Sequence, residues 1–341
     1  MYDSTTRSRT ITIEAQSLGK RYGDDLWALR NLDLEVGAGT VLGLLGHNGA
    51  GKTTTIRLLT TLSTPSEGSA SVAGHDVVTA AARVRADIGV AAQAATVDGL
   101  LTGRANLELI GRLYRLPAAD ARKRAGELLE RFGIADAAER LVKEYSGGMR
   151  RRLDLAASLI ADPSVIFLDE PTTGLDPAAR RELWNIVREL VSGGTTILLT
   201  TQYLDEADTL ADTIVVLDHG RAIARGTPSE LKTTIGGERL EIVVEDAAQL
   251  PPAIAATRSF ADGRPEPDEA GRRLIVPLRE SVRLVDVVRA LDAEGLAVAD
   301  LRLHQPTLDD VFLAKTGRSL EGAGGAGREP TSEAEPDPVP V

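Results

Sequence analysis

The chain has 341 residues, enough for about two domains. Apolar residues make up 43% of it and charged residues 26%, the composition of an ordinary globular protein. The net charge of −11, from 39 basic and 50 acidic residues, disfavours non-specific binding of nucleic acid. The chain contains no cysteine, which excludes disulfides and cysteine-ligated metals and is consistent with a reducing cytosol.

Both ends of the chain are predicted to lie outside the folded domains. Residues 1–10 are polar and lack the apolar core of a signal peptide, so we expect a flexible N-terminus. Residues 318–341 are acidic and show no core-forming pattern, which is typical of a disordered tail. The longest apolar runs, VIFL and TILL, are far shorter than the roughly 20 residues that cross a bilayer. Any action on a membrane would therefore require a partner.

The first part of the chain combines two kinds of predicted strand. Residues 11–18 and 32–36 alternate between apolar and polar side chains, which predicts antiparallel strands with one solvent-facing side. Residues 41–46, VLGLLG, form a continuous apolar run, as expected of a strand covered on both faces. Glycines follow this run, and then a helix candidate, TTTIRLLTTL.

Similar buried runs recur later, at residues 164–171, 195–200 and 213–220, with helical patterns between them, notably at 179–190. Strands that alternate with helices predict a mostly parallel sheet with helices on both faces. The segment from about 94 to 150 lacks buried-strand runs and contains two amphipathic helix patterns. We therefore expect a helical insertion in an α/β domain that spans residues 11–235.

A second, smaller α+β domain is predicted at 238–317. Its predicted elements are a strand at 239–245, a proline-rich link, a strand at 272–278, a helix at 281–295, a strand at 296–304 and a helix at 307–317. Asp309 and Asp310 resemble a metal-binding pair, but acidic residues are also favoured at the start of a helix by its dipole.

A phosphate-binding loop follows the first buried strand. The motif G-x-x-x-x-G-K-[ST] is matched by Gly46, His47, Asn48, Gly49, Ala50, Gly51, Lys52 and Thr53, with Thr54 next in the chain. Its glycines allow successive backbone N–H groups to face a phosphate oxygen. Lys52 would reach the β- and γ-phosphates, and the Thr53 hydroxyl would coordinate Mg²⁺. The strand–loop–helix setting makes a mere glycine-rich turn a poor alternative.

Two carboxylates follow the buried run SVIFLDEP. We expect Asp169 to hold the metal and Glu170 to orient the attacking water or to accept its proton. The alternative is that adjacent carboxylates after a strand form an ordinary solvated turn. The phosphate loop upstream and four preceding apolar residues favour the catalytic interpretation.

A second phosphate-facing segment, YSGGM, lies at residues 145–149, about a hundred residues after the first. Ser146 can donate a hydroxyl, Gly147 and Gly148 allow close approach of the backbone, and the following helix points its positive end at an anion. Arg150, Arg151 and Arg152 come next in the chain. Because successive helix positions point in different directions, at most one arginine could reach the phosphate, and a solvated or inter-domain face is expected for the others.

Together these motifs resemble the ATP-binding subunits of ABC transporters, whose signature motif usually reads Leu-Ser-Gly-Gly-Gln. Tyr145 and Met149 depart from it. The resemblance implies a head-to-tail homodimer, in which the signature segment of each chain caps the γ-phosphate held by the P-loop of the other. The implied fold is α/β, a P-loop NTPase core of the ABC type with an antiparallel β-subdomain and a helical insertion.

The resemblance also implies roles for Gln93 as the Q-loop contact to the metal and nucleotide, for Asp176 as the D-loop residue at the dimer interface, and for Tyr22 as the aromatic that stacks on adenine. An ordinary half-exposed tyrosine is the alternative for Tyr22. Where the family usually has a catalytic histidine, this chain has Gln202. Glutamine can donate a hydrogen bond to phosphate but cannot become a cation, so we expect a neutral sensor and slow turnover.

Within the family, the chain resembles subunits of the daunorubicin-resistance type through GHNGAGKTTTIRLLTTL, YSGGMRRRLDLAASL, TTQYLDEAD and QPTLDDVFLAKTG. This implies a MgATP-driven exporter that pairs with a separate membrane permease, docked near residues 94–115, on the cytoplasmic face of the membrane. A hydrophobic drug is the expected cargo, with a lipid, a polysaccharide or a non-transport role as alternatives. The C-terminal domain would stabilise the dimer or merely pack on the main domain.

Overall fold

The computed structural model describes residues 10–23, 26–92, 96–235, 237–268, 272–279 and 282–316. Its strands are β1 (Ile11–Tyr22), β2 (Leu26–Gly37), β3 (Val41–Leu45), β4 (Glu67–Val72), β5 (His75–Asp76), β6 (Ile88–Ala91), β7 (Val165–Asp169), β8 (Thr196–Thr201), β9 (Thr213–Asp218), β10 (Arg221–Gly226), β11 (Arg239–Val244), β12 (Glu266–Pro267), β13 (Arg273–Pro277) and β14 (Val298–His304). Its α-helices are α1 (Lys52–Leu59), α2 (Ala81–Asp87), α3 (Gly103–Leu113), α4 (Ala118–Arg131), α5 (Gly147–Ser158), α6 (Pro177–Ser192), α7 (Leu204–Leu210), α8 (Pro228–Thr233), α9 (Leu250–Thr257), α10 (Leu284–Ala293) and α11 (Leu308–Thr316). Of the predicted terminal segments, residues 1–9 and the tail at 318–341 lie outside the described part of the chain.

A six-stranded sheet in the order β10-β9-β3-β8-β7-β6 forms the centre of the molecule. All its strands are parallel except β10, which pairs antiparallel with β9. The four buried strands predicted from the sequence are β3, β7, β8 and β9, so that prediction is confirmed. Along β3, Val41 and Leu45 enter one hydrophobic core, and Leu42 and Leu44 enter the other. This two-sided burial is the reason why each of these strands is a continuous apolar run.

Different layers cover the two faces of the sheet. A four-stranded antiparallel sheet in the order β2-β1-β4-β5 shares one core with α1 and α2, and residues of α3 to α7 line the other. Strands β1 and β2 are paired antiparallel, as their alternating patterns predict. Strands β4, β5, β6 and β10 were not predicted, because β5 and β6 have only two and four residues and because β4 and β10 each carry a single large apolar residue.

The helical insertion is confirmed as the pair α3 and α4, joined to the core through α5. Thr102 caps α3, because its hydroxyl accepts a hydrogen bond from the Ala105 N–H at 3.1 Å. Leu107 of α3 and Leu128 of α4 are buried in the same core. Tyr145, which replaces the usual leucine, is also buried, and its hydroxyl donates to the Ala137 carbonyl at 2.6 Å. A tyrosine fits at this position because its one polar atom has a partner.

The C-terminal part contains an antiparallel sheet in the order β12-β13-β11-β14, with α9 and α10 packed on one face. The proline-rich link predicted between its first two strands is wrong in one respect, since part of it forms α9. Pro251 and Pro252 lie in the first turn of α9, where an N–H group would have no partner in the helix and proline is tolerated. Prolines at a helix start were therefore misread as a linker.

The last helix, α11, packs on the large core and not on the small sheet. Leu308, Val311 and Phe312 are almost fully buried and belong to the same cluster as Leu204 of α7 and Leu231 of α8. Truncation of a buried phenylalanine such as Phe312 typically costs about 3–5 kcal/mol. The C-terminal strands are thus tied to the main body at both ends.

Candidate nucleotide-binding site

The P-loop joins β3 to α1, and two of its glycines are required by close backbone contacts. A Cβ on Gly46 would lie 2.6 Å from the Leu217 carbonyl oxygen. Gly51 has a φ of 109° and caps α1, and a Cβ there would lie 2.8 Å from the Ala28 carbonyl oxygen. Neither position accepts a larger residue without a backbone shift. The loop is therefore packed tightly against β9 and β2.

Lys52 is only 4% exposed, and its ammonium group lies at the centre of the site. The Nζ atom donates to the Gly46 carbonyl at 2.6 Å and to the His47 carbonyl at 3.2 Å, and it lies 3.1 Å from Oε1 of Glu170. A buried ammonium needs such partners to offset its lost hydration. The three contacts aim the lysine into the loop, where phosphate oxygens are expected.

Asp169 and Glu170 end β7 beside the loop. The Thr200 hydroxyl donates to Oδ1 of Asp169 at 2.5 Å, and the Thr53 hydroxyl lies 3.5 Å from the same oxygen. Glu170 adopts a left-handed backbone with φ of 48°, and its N–H donates to the Thr200 carbonyl at 3.1 Å. A non-glycine residue in this region is strained, and such strain is concentrated at functional sites. The interpretation of these carboxylates as a solvated turn fails, because Asp169 is only 4% exposed.

A cavity of about 610 Å³ brings most of the predicted residues together. It is lined by Tyr22, Leu26, Ala28, His47, Asn48, Gly49, Gly51, Lys52, Thr53, Thr54, Glu170, Thr173 and Gln202. The P-loop, the candidate base and the candidate γ-phosphate sensor thus face one space. Tyr22 is 40% exposed at its edge, with the Lys20 ammonium 5.3 Å from the ring centroid. Ala50 is fully buried behind the loop, and Gln93 lies outside the described residues.

The signature segment lies outside this cavity. Ser146 caps α5, its hydroxyl oxygen accepting from the Met149 N–H at 3.2 Å. Ser146 and Gly147 are exposed, and Gly148 is partly so. None of the three lines the cavity. An exposed helix N-terminus with free N–H groups can bind an anion supplied by another molecule.

Asp176 is also exposed and also caps a helix. Its Oδ1 accepts from the N–H groups of Ala178 and Ala179, both at 2.9 Å, at the start of α6. It does not line the cavity. Within this chain, the carboxylate of Asp176 therefore has a structural partner and no contact with the P-loop.

Arg151 has a role that the sequence pattern did not predict. Its guanidinium is largely buried and donates to the carbonyls of Pro171 at 2.7 Å, Ala92 at 2.8 Å and Asp169 at 3.1 Å. Burial lowers its pKa, and the carboxylates of Asp154, Glu206 and Asp169 oppose that shift. The solvated face is wrong for this arginine, which links α5 to the end of β7 and to Ala92, the residue before Gln93.

The other two arginines lie elsewhere. Arg152 is 3.6 Å from Glu182 of α6, and its Nη1 lies 3.4 Å from the Phe132 carbonyl. Arg150 is half-buried. Asp310, in the acidic pair at the start of α11, accepts from the Thr307 N–H at 2.9 Å, which is the capping role expected of an acid there.

A P-loop beside a strand-end carboxylate pair, with a separate serine–glycine helix start, is the arrangement of an ABC ATPase. The ABC transporter family profile matches residues 29–173, and the profile of the C-terminal domain of DrrA1-3-like ATP-binding proteins matches residues 226–316. The chain belongs to the ATP-binding subunits of ABC transporters, in the daunorubicin-resistance group.

Individual relatives agree with this family. The daunorubicin resistance ATP-binding protein DrrA2 of Streptomyces coeruleorubidus is 54% identical over 91% of this chain and 96% of its own length. The Nod factor export ATP-binding protein I of Ralstonia nicotianae is 41% identical over 91% and 95%. Among solved structures, the dimeric bacterial ABC transporter cassette MJ0796 matches with a TM-score of 0.59 and 25% identity over 63% of this chain and 98% of its own. The protein is thus an ATP-binding ABC subunit, and ATP hydrolysis is its expected reaction.

Proposed function

We propose that two copies of this chain close head to tail on two MgATP molecules and drive a separate membrane permease. One observation carries the proposal. The cavity joins the P-loop, Glu170 and Gln202, whereas Ser146 at the signature helix faces solvent outside it. The P-loop half of the site needs a phosphate-facing lid, and the signature half needs a phosphate. Both needs are met when the signature segment of each copy covers the P-loop of the other.

We propose Thr53, Asp169 and Gln93 as the residues that hold Mg²⁺. The hydroxyl and carboxylate of the first two lie 3.5 Å apart, and oxygen ligands of this kind suit a hard cation. Gln93 is included on the family resemblance alone. Mg²⁺ held by these residues would neutralise the negative charge that develops on the phosphates.

Glu170 is proposed as the base and Gln202 as a neutral hydrogen-bond donor to the γ-phosphate. In the structure Glu170 is engaged by the ammonium of Lys52 at 3.1 Å. Phosphate oxygens that bind Lys52 compete for that ammonium and release Glu170 toward the attacking water. The base therefore becomes available only when a nucleotide fills the loop.

Closure of the dimer is proposed to move a permease docked on the helical insertion, near residues 94–115. Three large apolar side chains there are exposed, Leu100 at 74%, Leu109 at 47% and Leu113 at 72%. Exposed apolar side chains of this kind can contact a protein partner. Among the described residues, no helix is both long and apolar enough to cross a bilayer. We propose a peripheral subunit on the cytoplasmic face of the membrane.

We further propose the domain division 11–235, with a helical subdomain at about 94–150, and 238–317. The C-terminal sheet has its own core, which supports a separate unit, although α11 packs back on the main core. We propose a role for this unit in assembly of the dimer.

The proposed cargo is a hydrophobic drug of the daunorubicin type, since the relative of that name is more similar than the Nod factor relative. The test is ATP-dependent accumulation of daunorubicin in inverted vesicles that contain this chain and a candidate permease from the same organism. Lys52→Ala is the control. Accumulation that requires ATP and Lys52 supports the proposal. Uptake of a lipid-linked oligosaccharide but not of daunorubicin would instead support the alternative cargo.

A further inference from the structure

A cluster of three possible metal ligands includes one residue of the P-loop. The ligand atoms of His47, Asp218 and His219 all fall within 4.8 Å of one another. His47 belongs to the P-loop, Asp218 is the last residue of β9, and His219 lies in the turn between β9 and β10. We propose that these three residues form a binding site for a divalent transition-metal ion, separate from the oxygen-lined site at Thr53 and Asp169.

The hydrogen bonds of His47 support a cation at this place. Its Nδ1 lies 2.6 Å from the Asn48 carbonyl oxygen, and its Nε2 lies 2.9 Å from Oδ1 of Asp218. Both neighbours are acceptors, so a neutral imidazole can satisfy only one of them. If Nδ1 donates to Asn48, the Nε2 lone pair faces a carboxylate, and a metal ion between them removes that conflict. A histidine ligand that donates its other N–H to a backbone carbonyl is the usual arrangement at metal sites.

The backbone holds the two halves of the site in fixed positions. His219 and Gly220 both have left-handed φ values, 46° and 75°, which form a tight hairpin turn. The Gly220 N–H donates to the Ala50 carbonyl of the P-loop at 3.0 Å, and its carbonyl accepts from the Arg30 N–H at 2.8 Å. The turn is thus anchored to both the P-loop and β2. Ligands on two anchored segments need little ordering when an ion binds.

The ligand set indicates the class of metal. Two imidazoles and one carboxylate, with further positions open, suit Zn²⁺, Co²⁺ or Ni²⁺, whereas Mg²⁺ prefers oxygen alone. Nε2 of His219 lies 3.8 Å from Oδ1 of Asp218, and ligand atoms around a tetrahedral ion lie about 3.3 Å apart. The His219 side chain is 67% exposed, so a small rotation brings it into place.

The experiment is titration of tag-free protein with Co²⁺ in excess Mg²⁺, followed by the visible absorption of bound Co²⁺, and with Zn²⁺ by calorimetry. We expect one equivalent per chain. His219→Asn should weaken binding at least about tenfold, since one of three ligands is lost and asparagine tolerates the left-handed backbone. His75→Asn is the matched control, because His75 also pairs with an aspartate, Asp87 at 3.4 Å, but without a second histidine.

One further measurement separates this site from the nucleotide site. Lys52→Ala should bind Co²⁺ with unchanged affinity even where it no longer binds ATP, so the metal result does not depend on the proposed function. Absence of stoichiometric binding by the wild type would overturn the proposal. Equal binding by the wild type and His219→Asn would overturn it too.

Discussion

The P-loop and the signature segment both offer backbone N–H groups at the start of a helix, yet their surroundings differ. At the P-loop, Lys52 is buried with carbonyl and carboxylate partners, and a cavity of about 610 Å³ opens in front of it. At the signature segment, Ser146 is exposed and its hydroxyl oxygen caps α5. The first region can hold a ligand, whereas the second can only cover one. This difference is expected if, as proposed above, a complete reaction centre needs two chains.

The largest expected effect is on the rate of ATP hydrolysis, when the proposed base beside the P-loop is removed. Glu170→Gln should bind ATP and lower the hydrolysis rate about 10²–10³-fold, because the amide cannot accept the proton of the attacking water. The variant should also accumulate as a nucleotide-bound dimer, measured by size-exclusion chromatography with ATP. Glu182→Gln, at an exposed position of α6, is the control. Wild-type turnover by Glu170→Gln would exclude Glu170 as the base.

Complementation tests the exchange between chains directly. Ser146→Arg should keep ATP binding and lose hydrolysis about 10²-fold or more, because a bulky cation obstructs the lid. Lys52→Ala should also lose hydrolysis, because it lacks the P-loop ammonium expected to bind the β- and γ-phosphates. Mixed in equal amounts, the two inactive variants should recover up to about a quarter of the wild-type sites, since each mixed dimer restores one.

The control for this experiment is Ser146→Asn, which keeps a side chain able to cap α5. A mixture of Ser146→Arg and Lys52→Ala that stays as inactive as its components would contradict the exchange of halves between chains.

Arg151 connects α5, which starts at the signature segment, to the end of β7. Arg151→Lys replaces the planar guanidinium, which reaches three carbonyls at once, with a single ammonium group, and should lower the free energy of unfolding by about 2 kcal/mol. Urea denaturation measures this change. Arg150→Lys, one position away, is the matched control. Equal stability of the two variants would show that the three hydrogen bonds contribute nothing beyond charge.

The contiguous motifs were predictable from the sequence, and the contacts between distant segments were not. The P-loop is read from eight consecutive residues, and the carboxylates follow an apolar run that only a buried strand explains. The carbonyl partners of Arg151 lie about 20 and 59 residues away in the chain, and no spacing rule identifies backbone acceptors. His47 and Asp218 are 171 residues apart and meet only because β3 and β9 are neighbours in the sheet.

The same reasoning explains the smaller errors in the fold. Strand β6 has four residues, too few for a periodic pattern, and it is recognisable only by its pairing with β7. Proline usually interrupts a helix, but it is accepted in the first turn, where the two prolines of α9 lie. A capping residue just before the prolines would have indicated a helix start. Asp246 lies a few residues before them and accepts a hydrogen bond from the Ala248 N–H at 3.0 Å.

Gln202 allows a smaller test at the P-loop side. Gln202→His should raise the hydrolysis rate, by up to about tenfold, because an imidazole can position water and carry a positive charge near the γ-phosphate. Steady-state ATPase assays measure the change, with Gln305→His, far from the cavity, as the control. An unchanged or lower rate would show that the glutamine is not the cause of slow turnover.

The smallest expected effect concerns Glu206 of α7, which is fully buried and accepts a hydrogen bond from the Trp184 indole N–H at 3.2 Å. Burial raises the pKa of this carboxyl above the value of 4.5 expected in the unfolded chain. The folded state therefore keeps its proton to higher pH than the unfolded state, and stability falls as pH rises through the folded pKa. Glu206→Gln, which cannot ionise, should be about 1 kcal/mol more stable than the wild type at neutral pH. The advantage should shrink toward pH 4.5, and parallel pH profiles of urea unfolding for the two proteins would rule out a raised pKa.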